Sequence, residues 1–210
     1  MKRITIFLTL FSLIAFSCEK IEKLEDDIVH KGFNPYIILQ PADSVGLISN
    51  NSCEKPFPFP SDSLVSEEFD FNHDGVQDFR ITFETNYSQL NPSDSCLNYG
   101  SRISMKSLGM GNEIYVKDKN TKEIMIYEEG EDIINTSVKS SNFAILYLGT
   151  VSTNAELDLT EGNKFIGFKL MNGNYGWLRF FYEKEVFMLS VMDYAYNNNV
   201  NLKIKAGQKE

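Results

Sequence analysis

Hydrophobic and polar residues alternate with a period of two along most of the chain. In the segment 79–84, Phe79, Ile81 and Phe83 take every second position and polar residues fill the others. This alternation places the apolar side chains on one face, which is typical of a half-buried β-strand. Similar short apolar runs are found at residues 36–39, 103–105, 114–116, 124–127, 143–148, 165–171, 175–182, 186–196 and 202–204. About ten such strands predict an all-β fold, either an antiparallel β-sandwich or a flattened barrel.

Residues that favour turns separate these runs. Asn172-Gly173-Asn174 lies between two apolar runs, and an Asn-Gly pair in that position favours a tight hairpin. The strands around it are therefore predicted to form a C-terminal hairpin meander. Two prolines in the segment 57–60 exclude a central strand there, because proline has no N–H to donate to a neighbouring strand.

The first residues of the chain follow a different pattern. Lys2 and Arg3 precede an apolar run at 4–16, which is the pattern of a secretory signal peptide and is shorter than the roughly 20 residues of a membrane-spanning helix. The run ends in Ala15-Phe16-Ser17-Cys18, which resembles the lipobox of bacterial lipoproteins. The resemblance implies that residues 1–17 are removed and that Cys18 carries a lipid that anchors the chain to a membrane. The alternative is ordinary cleavage that leaves Cys18 free.

A strongly charged segment follows Cys18. Residues 19–27 contain five acidic residues and two lysines, so we predict that residues 18–34 form an acidic tether. The remaining residues, 35–210, are predicted to form a single β-domain. A lysine followed by acidic residues directly behind the lipid-bearing cysteine resembles the surface-export tether of Bacteroidota lipoproteins. That resemblance implies an outer-membrane lipoprotein that faces the periplasm or the cell exterior.

Length and charge limit the classes of function. A chain of 210 residues is long enough for one ordinary domain, and its 42% hydrophobic content supplies a core and excludes wholesale disorder. The formal net charge is −9, and it becomes −11 when Lys2 and Arg3 leave with the signal peptide. Because so acidic a body repels phosphate backbones, we exclude nucleic acid as a partner.

The chain contains three cysteines. With Cys18 assigned to the lipid, Cys53 and Cys96 remain as an even pair in an oxidising compartment. We therefore predict a disulfide between them. The alternative is two unpaired, buried thiols.

The sharpest local signal is the nine-residue segment Asp70–Asp78. Oxygen-bearing side chains stand at its positions 1, 3, 5 and 9, and a glycine stands at position 6, where the main chain of a metal-binding loop must turn sharply. The predicted ligands are the side chains of Asp70, Asn72, Asp74 and Asp78 and the main-chain carbonyl of Val76. Three carboxylates among neutral oxygens favour calcium over magnesium, in a structural role. The alternative is an Asp- and Asn-rich turn that satisfies its own main chain.

Several motifs together resemble a group of known proteins. The loop at 70–78 resembles the short calcium loops of extracellular β-proteins that lead directly into a strand. The segments Phe165-Ile166-Gly167-Phe168, Tyr175-Gly176-Trp177-Leu178-Arg179, Asp193-Tyr194-Ala195-Tyr196 and Ala206-Gly207-Gln208 extend the resemblance. They are similar to segments of uncharacterised secreted β-proteins, found with PEP-type sorting tails and among Bacteroidota lipoproteins. The resemblance implies a fold, and it implies no activity because none is established for that group.

One segment matches a catalytic pattern. Glu156, Asp158 and Glu161 fit the E-x-D-x-x-E spacing of a β-sandwich glycoside hydrolase family, whose alternate carboxylates serve as nucleophile, helper and general acid. Glu161, however, precedes Gly162-Asn163 and so falls at a turn. We therefore expect a protein without catalysis and keep a cell-surface glycoside hydrolase as the alternative.

The expected role is that of a lipid-anchored, calcium-stabilised envelope or surface protein. It would act as a binding or structural accessory whose partner is a glycan or another envelope protein. Trp177, Tyr194 and Tyr196 are candidate glycan-contact aromatics, since aromatic rings stack on sugar rings. For each of them the alternative is a place in the hydrophobic core, and the apolar residues beside Trp177, among them Leu178 and Phe180, favour the core for that residue.

Overall fold

The computed structural model describes residues 27–40, 46–50, 53–57, 63–88, 98–133, 139–150, 163–183 and 188–210. These ranges contain strands and turns and no helix. The strands are β1 (Ile28–Leu39), β2 (Gly46–Asn50), β3 (Cys53–Phe57), β4 (Ser63–Phe69), β5 (Phe79–Ser88), β6 (Asn98–Ser107), β7 (Glu113–Asp118), β8 (Glu123–Ile124), β9 (Ile126–Tyr127), β10 (Lys139–Ser141), β11 (Phe143–Thr150), β12 (Lys164–Lys169), β13 (Tyr175–Glu183) and β14 (Met188–Asn197).

Twelve of these strands form one nearly closed, barrel-like sheet. Its order is β1-β14-β13-β12-β7-β8-β11-β6-β5-β4, with β10 paired to β7 and β9 paired to β12, while β2 and β3 form a separate hairpin. Neighbouring strands run antiparallel except at one parallel bridge, between Ile145 of β11 and Glu123 of β8. The predicted all-β fold is thus confirmed in its barrel-like form, with a mixed rather than purely antiparallel sheet.

The predicted C-terminal meander consists of β12, β13 and β14. The β12–β13 connection is closed by two main-chain hydrogen bonds, one from Leu170 N–H to the Asn174 carbonyl (2.9 Å) and one from Gly173 N–H to the Leu170 carbonyl (2.9 Å). Gly173 has φ of +95°, a left-handed conformation that glycine adopts without strain. The expected hairpin at residues 172–174 is therefore present.

The segment 202–204 differs from its prediction, because it is not a strand. It lies beside residues 131–133, and Ile133 N–H donates to the carbonyl of Ile204 over 3.1 Å. A single isolated bridge, between Asp132 and Lys205, accompanies that contact. Ile204 is nevertheless buried, in a cluster that includes Ile133 and Trp177. Its apolar character therefore reflects this packing rather than strand pairing.

Strand β1 begins earlier than the sequence pattern indicated. It pairs with β14 from Ile28 onward, so the last residues of the predicted tether, which was assigned to 18–34, belong to the folded domain. Val29, Phe33 and Ile37 pack against the core, and every residue between them is exposed. A bulge between Gly32 and Ile37 interrupts the pairing, and the sequence therefore shows no period of two in this strand.

Candidate metal-binding loop and adjoining cleft

The predicted calcium loop connects β4 to β5 at one end of the sheet. Phe69 and Phe79, which flank the loop, are paired across the two strands and are both buried. Asp78 N–H donates to the carbonyl of Phe69 over 2.7 Å and closes the base of the loop. The loop is therefore held in place by the strand ladder that it continues.

Phe71, at the second position of the loop, fixes the loop to the core. Its side chain is fully buried, and its ring is stacked on Phe168 with the ring centroids 4.9 Å apart. The ring of Tyr194, on β14, lies 4.5 Å from that of Phe71, and the Tyr194 hydroxyl donates to the Phe71 carbonyl over 3.1 Å. Phe71 is thus the aromatic anchor that holds the loop to the core.

The polar side chains at positions 1, 3 and 5 converge on one turn of the main chain. The Asp70 carboxylate accepts hydrogen bonds from Asp74 N–H (3.2 Å) and Gly75 N–H (2.9 Å). Asn72 Oδ1 accepts from Asp74 N–H (3.0 Å), and Asn72 Nδ2 donates to Asp74 Oδ2 (3.0 Å). Asp74 Oδ1 in turn accepts from Val76 N–H (2.8 Å). The sharp turn at Gly75 has φ of +87°, as the glycine at position 6 predicted.

Asp78, at position 9, is buried where the loop joins β5. Its Oδ2 accepts from Phe71 N–H (2.8 Å) and Asn72 N–H (3.4 Å), and its Oδ1 accepts from Asn112 Nδ2 (2.9 Å). Burial raises the pKa of the Asp78 carboxyl above its ordinary value. The hydrogen bonds oppose this rise in pKa, and the negative charge of Asp70 adds to it.

His73 faces the neighbouring strands rather than the polar side chains of the loop. It has φ of +58°, a conformation in which histidine is found more often than most side chains. Its Nε2 lies 3.1 Å from the Tyr194 hydroxyl oxygen and accepts a hydrogen bond from Lys31 Nζ, also over 3.1 Å. His73 therefore links the loop to β1 through Lys31 and contacts β14 at Tyr194.

Asn112 is a buried connector that the sequence reasoning missed. Its Nδ2 donates to the Asp78 carbonyl (3.2 Å) as well as to the Asp78 carboxylate, and its Oδ1 accepts from Met171 N–H (2.6 Å). One amide thus joins the loop at 70–78 to the segment before β7 and to the β12–β13 turn. The only sequence signal at this position is the turn composition Gly109-Met110-Gly111-Asn112, which says nothing about its distant partners.

The loop at 70–78, the segment before β7 and the β12–β13 turn surround a cleft of about 520 Å³. Five of its lining residues are asparagines, two are aspartates and three are exposed apolar residues. The lining consists of Asn72, Asp74, Val76, Asp78, Gly109, Met110, Asn112, Met171, Asn172, Asn174, Tyr196 and Asn198. In this lining there is no lysine, arginine or histidine, so the fixed charges that face the cleft are negative.

A second charged cluster lies around Asp193 on β14. Its buried carboxylate accepts two hydrogen bonds from Arg179 (2.6 and 2.7 Å), one from His30 Nε2 (3.0 Å) and an ion-pair contact from Lys209 Nζ (3.2 Å). Burial by itself would raise the pKa of the Asp193 carboxyl. The hydrogen bonds from Arg179, His30 and Lys209 and the charge of Arg179 outweigh that effect and hold the pKa below its ordinary value.

Two of the three candidate glycan-contact aromatics are buried, as the alternative of a core position requires. Trp177 is fully buried, and its Nε1 donates to the carbonyl of Gln208 over 3.1 Å. Tyr194 is equally buried against Phe71. Neither ring is open to a sugar, because Tyr194 belongs to the main core cluster and Trp177 to a second buried cluster that includes Ile204 and Ala206 of the C-terminal segment. Tyr196 lines the cleft but is only 7% exposed.

Several predicted residues lie outside the described ranges. They are Cys18, Cys96, Glu156, Asp158 and Glu161. Cys53 lies in β3, of which only the main chain is described. The predictions of a lipid anchor, a disulfide and a catalytic carboxylate set therefore stay predictions.

In the part of the chain that the structure describes, no group of three His, Cys, Asp or Glu side chains is placed to hold a metal ion. The Asp70 and Asp74 carboxylates accept main-chain N–H groups of their own loop, as the alternative of a self-satisfied turn requires. The calcium prediction stays a prediction. Over the same ranges, no helix has the length and apolar character to cross a membrane.

Comparison with known proteins found no matching family model, no matching curated protein and no matching solved structure.

Proposed function

We propose that this chain is a non-catalytic, calcium-stabilised accessory protein of the cell envelope, anchored by a lipid on Cys18. The observation that carries the proposal is the convergence of Asp70, Asn72 and Asp74 on one turn, with Asp78 buried at the base of the same loop. Three carboxylates within nine residues repel one another, and a divalent cation would offset that repulsion.

The chemistry of the donor set fits calcium. The predicted ligands are carboxylate, amide and carbonyl oxygens, and the one imidazole of the loop, that of His73, contacts Tyr194 and Lys31 instead. Such an oxygen set suits a hard cation that takes six to eight oxygen ligands. The side chains of Asp70, Asn72, Asp74 and Asp78 and the Val76 carbonyl would hold the ion. Bound calcium would supply a fixed positive charge that pins the start of β5 and one wall of the cleft.

The position of β1 supports a role close to a membrane. The strand begins at Ile28, so nine residues separate it from Cys18, and the chain from Cys18 to Ile28 spans about 35 Å when fully extended. A lipid on Cys18 would therefore keep the domain near the membrane surface. A short tether of this kind suits an accessory that binds a neighbouring envelope component.

The test is thermal unfolding of the mature chain from Cys18 onward, in calcium and in excess chelator. If calcium binds with a dissociation constant of about 10 μM, about 1 mM calcium adds roughly 2.7 kcal/mol to the free energy of unfolding. For a chain of this size the midpoint temperature would rise by about 5–11 °C. Asp74→Ala should abolish the rise, and Asp132→Ala, at an exposed aspartate outside the loop, should leave it intact. Equal midpoints in calcium and in chelator would contradict the proposal.

A further inference from the structure

The first described residue of the chain lies beside the cleft. The main-chain carbonyl of Asp27 accepts a hydrogen bond from Asn198 N–H (2.7 Å), and its carboxylate accepts one from Asn198 Nδ2 (3.1 Å). Asn198 is also one of the residues that line the cleft. The chain from Cys18 to Asp27 spans at most about 32 Å, so a lipid on Cys18 would hold this side of the molecule within that distance of the bilayer.

Exposed apolar side chains surround the same cleft. Val76, Met110 and Met171 line it and are 60%, 91% and 70% exposed. Val200, which is 54% exposed, lies beside the β12–β13 turn, because the N–H of the next residue donates to the carbonyl of Gly173 (3.1 Å). Of the seven large apolar residues that are exposed in the described ranges, four therefore lie on the cleft side of the molecule.

Four separate connections carry these apolar residues. Val76 is in the β4–β5 loop, Met110 is between β6 and β7, Met171 is in the β12–β13 turn and Val200 follows β14. A stable protein partner would need a continuous matching surface of about 800 Å². A fluid lipid phase, in contrast, accommodates separate apolar tips without a matching surface. The arrangement therefore favours a lipid surface over a folded protein as the occupant.

We propose that the cleft side of the domain docks on the bilayer that holds its anchor. The side chains of Val76, Met110, Met171 and Val200 insert at the boundary between headgroups and acyl chains, about 5–10 Å deep. The inference rests on the proposed lipid anchor and deepens the proposed function, because it names the surface on which the accessory protein sits.

The charges on the cleft side indicate which lipids it contacts. Asp74 and Asp78 line the cleft, and no lysine, arginine or histidine lines it with them. Bound calcium would offset two negative charges of the loop without creating a positive surface, because Asp70 contributes a third carboxylate. We therefore expect apolar insertion into zwitterionic lipid, without electrostatic attraction to anionic lipid.

The experiment holds the mature chain on phosphatidylcholine vesicles, in calcium, through a hexahistidine tag before Cys18 and a nickel-chelating lipid. Met110→Trp places a tryptophan at a proposed insertion point, over the constant background of Trp177. Replacing the lipid by its brominated form should quench about half of the fluorescence that Met110→Trp adds. Leu64→Trp is the matched control at another exposed apolar residue, which lies on β4 five residues before Phe69 and roughly 16 Å from the loop. Its added fluorescence should stay unchanged.

A second set of variants tests the physical cause of the docking. Val200→Trp should be quenched by brominated lipid as Met110→Trp is, because Val200 lies on the same side. Adding Met110→Asp and Met171→Asp to that chain should reduce the quenching at least about threefold, since carboxylates resist entry into the apolar phase. Both replacements fall at exposed side chains, so the fold itself should tolerate them.

Four results would overturn the inference. They are the absence of quenching at Met110→Trp and Val200→Trp, equal quenching at Leu64→Trp, quenching that the two aspartates leave intact, and a spectral shift of Met110→Trp with solubilised envelope proteins but not with lipid. The last result would assign the surface to a protein partner.

The mass of the full-length chain, expressed with its own signal in a bacterial host, reports separately whether Cys18 carries a lipid. A lipidated chain without quenching contradicts only the docking, and quenching on nickel vesicles with an unlipidated Cys18 contradicts only the anchor.

Discussion

The Tyr194 hydroxyl on β14 donates to the carbonyl of Phe71 in the β4–β5 loop, and the two residues are 123 positions apart in the chain. Their rings also lie 4.5 Å apart, so a polar contact and an aromatic contact act on the same loop residue. Burial raises the pKa of Tyr194 to about 12, and the hydroxyl therefore remains a donor at neutral pH. This pair couples the candidate metal loop, between β4 and β5, to β14, which lies near the other end of the strand order.

Replacing Tyr194 with phenylalanine isolates the polar half of that contact. The ring packing stays, while the buried Phe71 carbonyl loses the donor from Tyr194, so the free energy of unfolding should fall by about 1–2 kcal/mol. Urea denaturation of the variant and the parent measures the difference. Tyr36→Phe, at an exposed tyrosine, is the matched control and should change stability by less than about 0.5 kcal/mol. A loss as large in the control would contradict a specific role for Tyr194.

Phe71 is expected to be the most sensitive residue of the loop. Phe71→Ala removes a fully buried ring that contacts Phe168 and Tyr194, and should lower the free energy of unfolding by about 3–5 kcal/mol. Phe71→Leu keeps most of the volume and should cost clearly less. If the exposed loop substitution Val76→Ala destabilised the chain as much as Phe71→Ala does, the anchoring role of Phe71 would be refuted.

Asn112→Ala should disrupt the loops around the cleft. The change removes the partner of Asp78 Oδ1 and of Met171 N–H in a buried setting, so we expect a loss of about 2–4 kcal/mol in urea denaturation. Any calcium-dependent rise in the melting temperature should shrink with it, because Asp78 would no longer be held in place. Asn163→Ala, at an exposed asparagine outside the cleft, should have little effect on either quantity.

Asp193 should make stability depend on pH in the acid range. Its pKa in the folded chain lies below the unfolded value, so the unfolded chain binds more protons as the solution is acidified. The stabilisation is therefore complete well above about pH 4 and is lost as the pH falls toward the folded-state pKa.

The variant Asp193→Asn tests this origin of the pH dependence. It leaves Arg179 without its carboxylate and should lose about 3 kcal/mol near neutral pH. Urea denaturation between about pH 7 and pH 3 should also show a flatter profile for the variant than for the parent. Asp132→Asn is the matched exposed control, and an equal flattening in that variant would assign the pH dependence to another group.

The sequence pattern was sufficient to predict those features that depend on residues adjacent in the chain. The period-two alternation at 79–84 correctly predicted β5, because each strand must place alternate side chains in the core. The Asn-Gly pair at 172–173 correctly predicted the β12–β13 turn, since it depends on the conformation of a few adjacent residues. The Asp and Asn spacing from 70 to 78 predicted a calcium loop with a sharp turn at its glycine, and the turn is present, with Gly75 in the left-handed conformation.

Contacts between residues far apart in the chain determined the start of β1, the burial of Trp177 and the cleft. Strand β1 begins at Ile28 because β14 supplies its partners, and nothing in the charged segment before it carries that information. Trp177 is buried because the C-terminal segment packs over it: its Nε1 donates to the Gln208 carbonyl, and Ile204 and Ala206 belong to the same buried cluster. Its apolar sequence neighbours favoured a core position but could not name these partners. The cleft arises where separate turns meet. Residues far apart in the chain acquire their roles only when strand pairing brings those turns together, and a local pattern contains no record of that pairing.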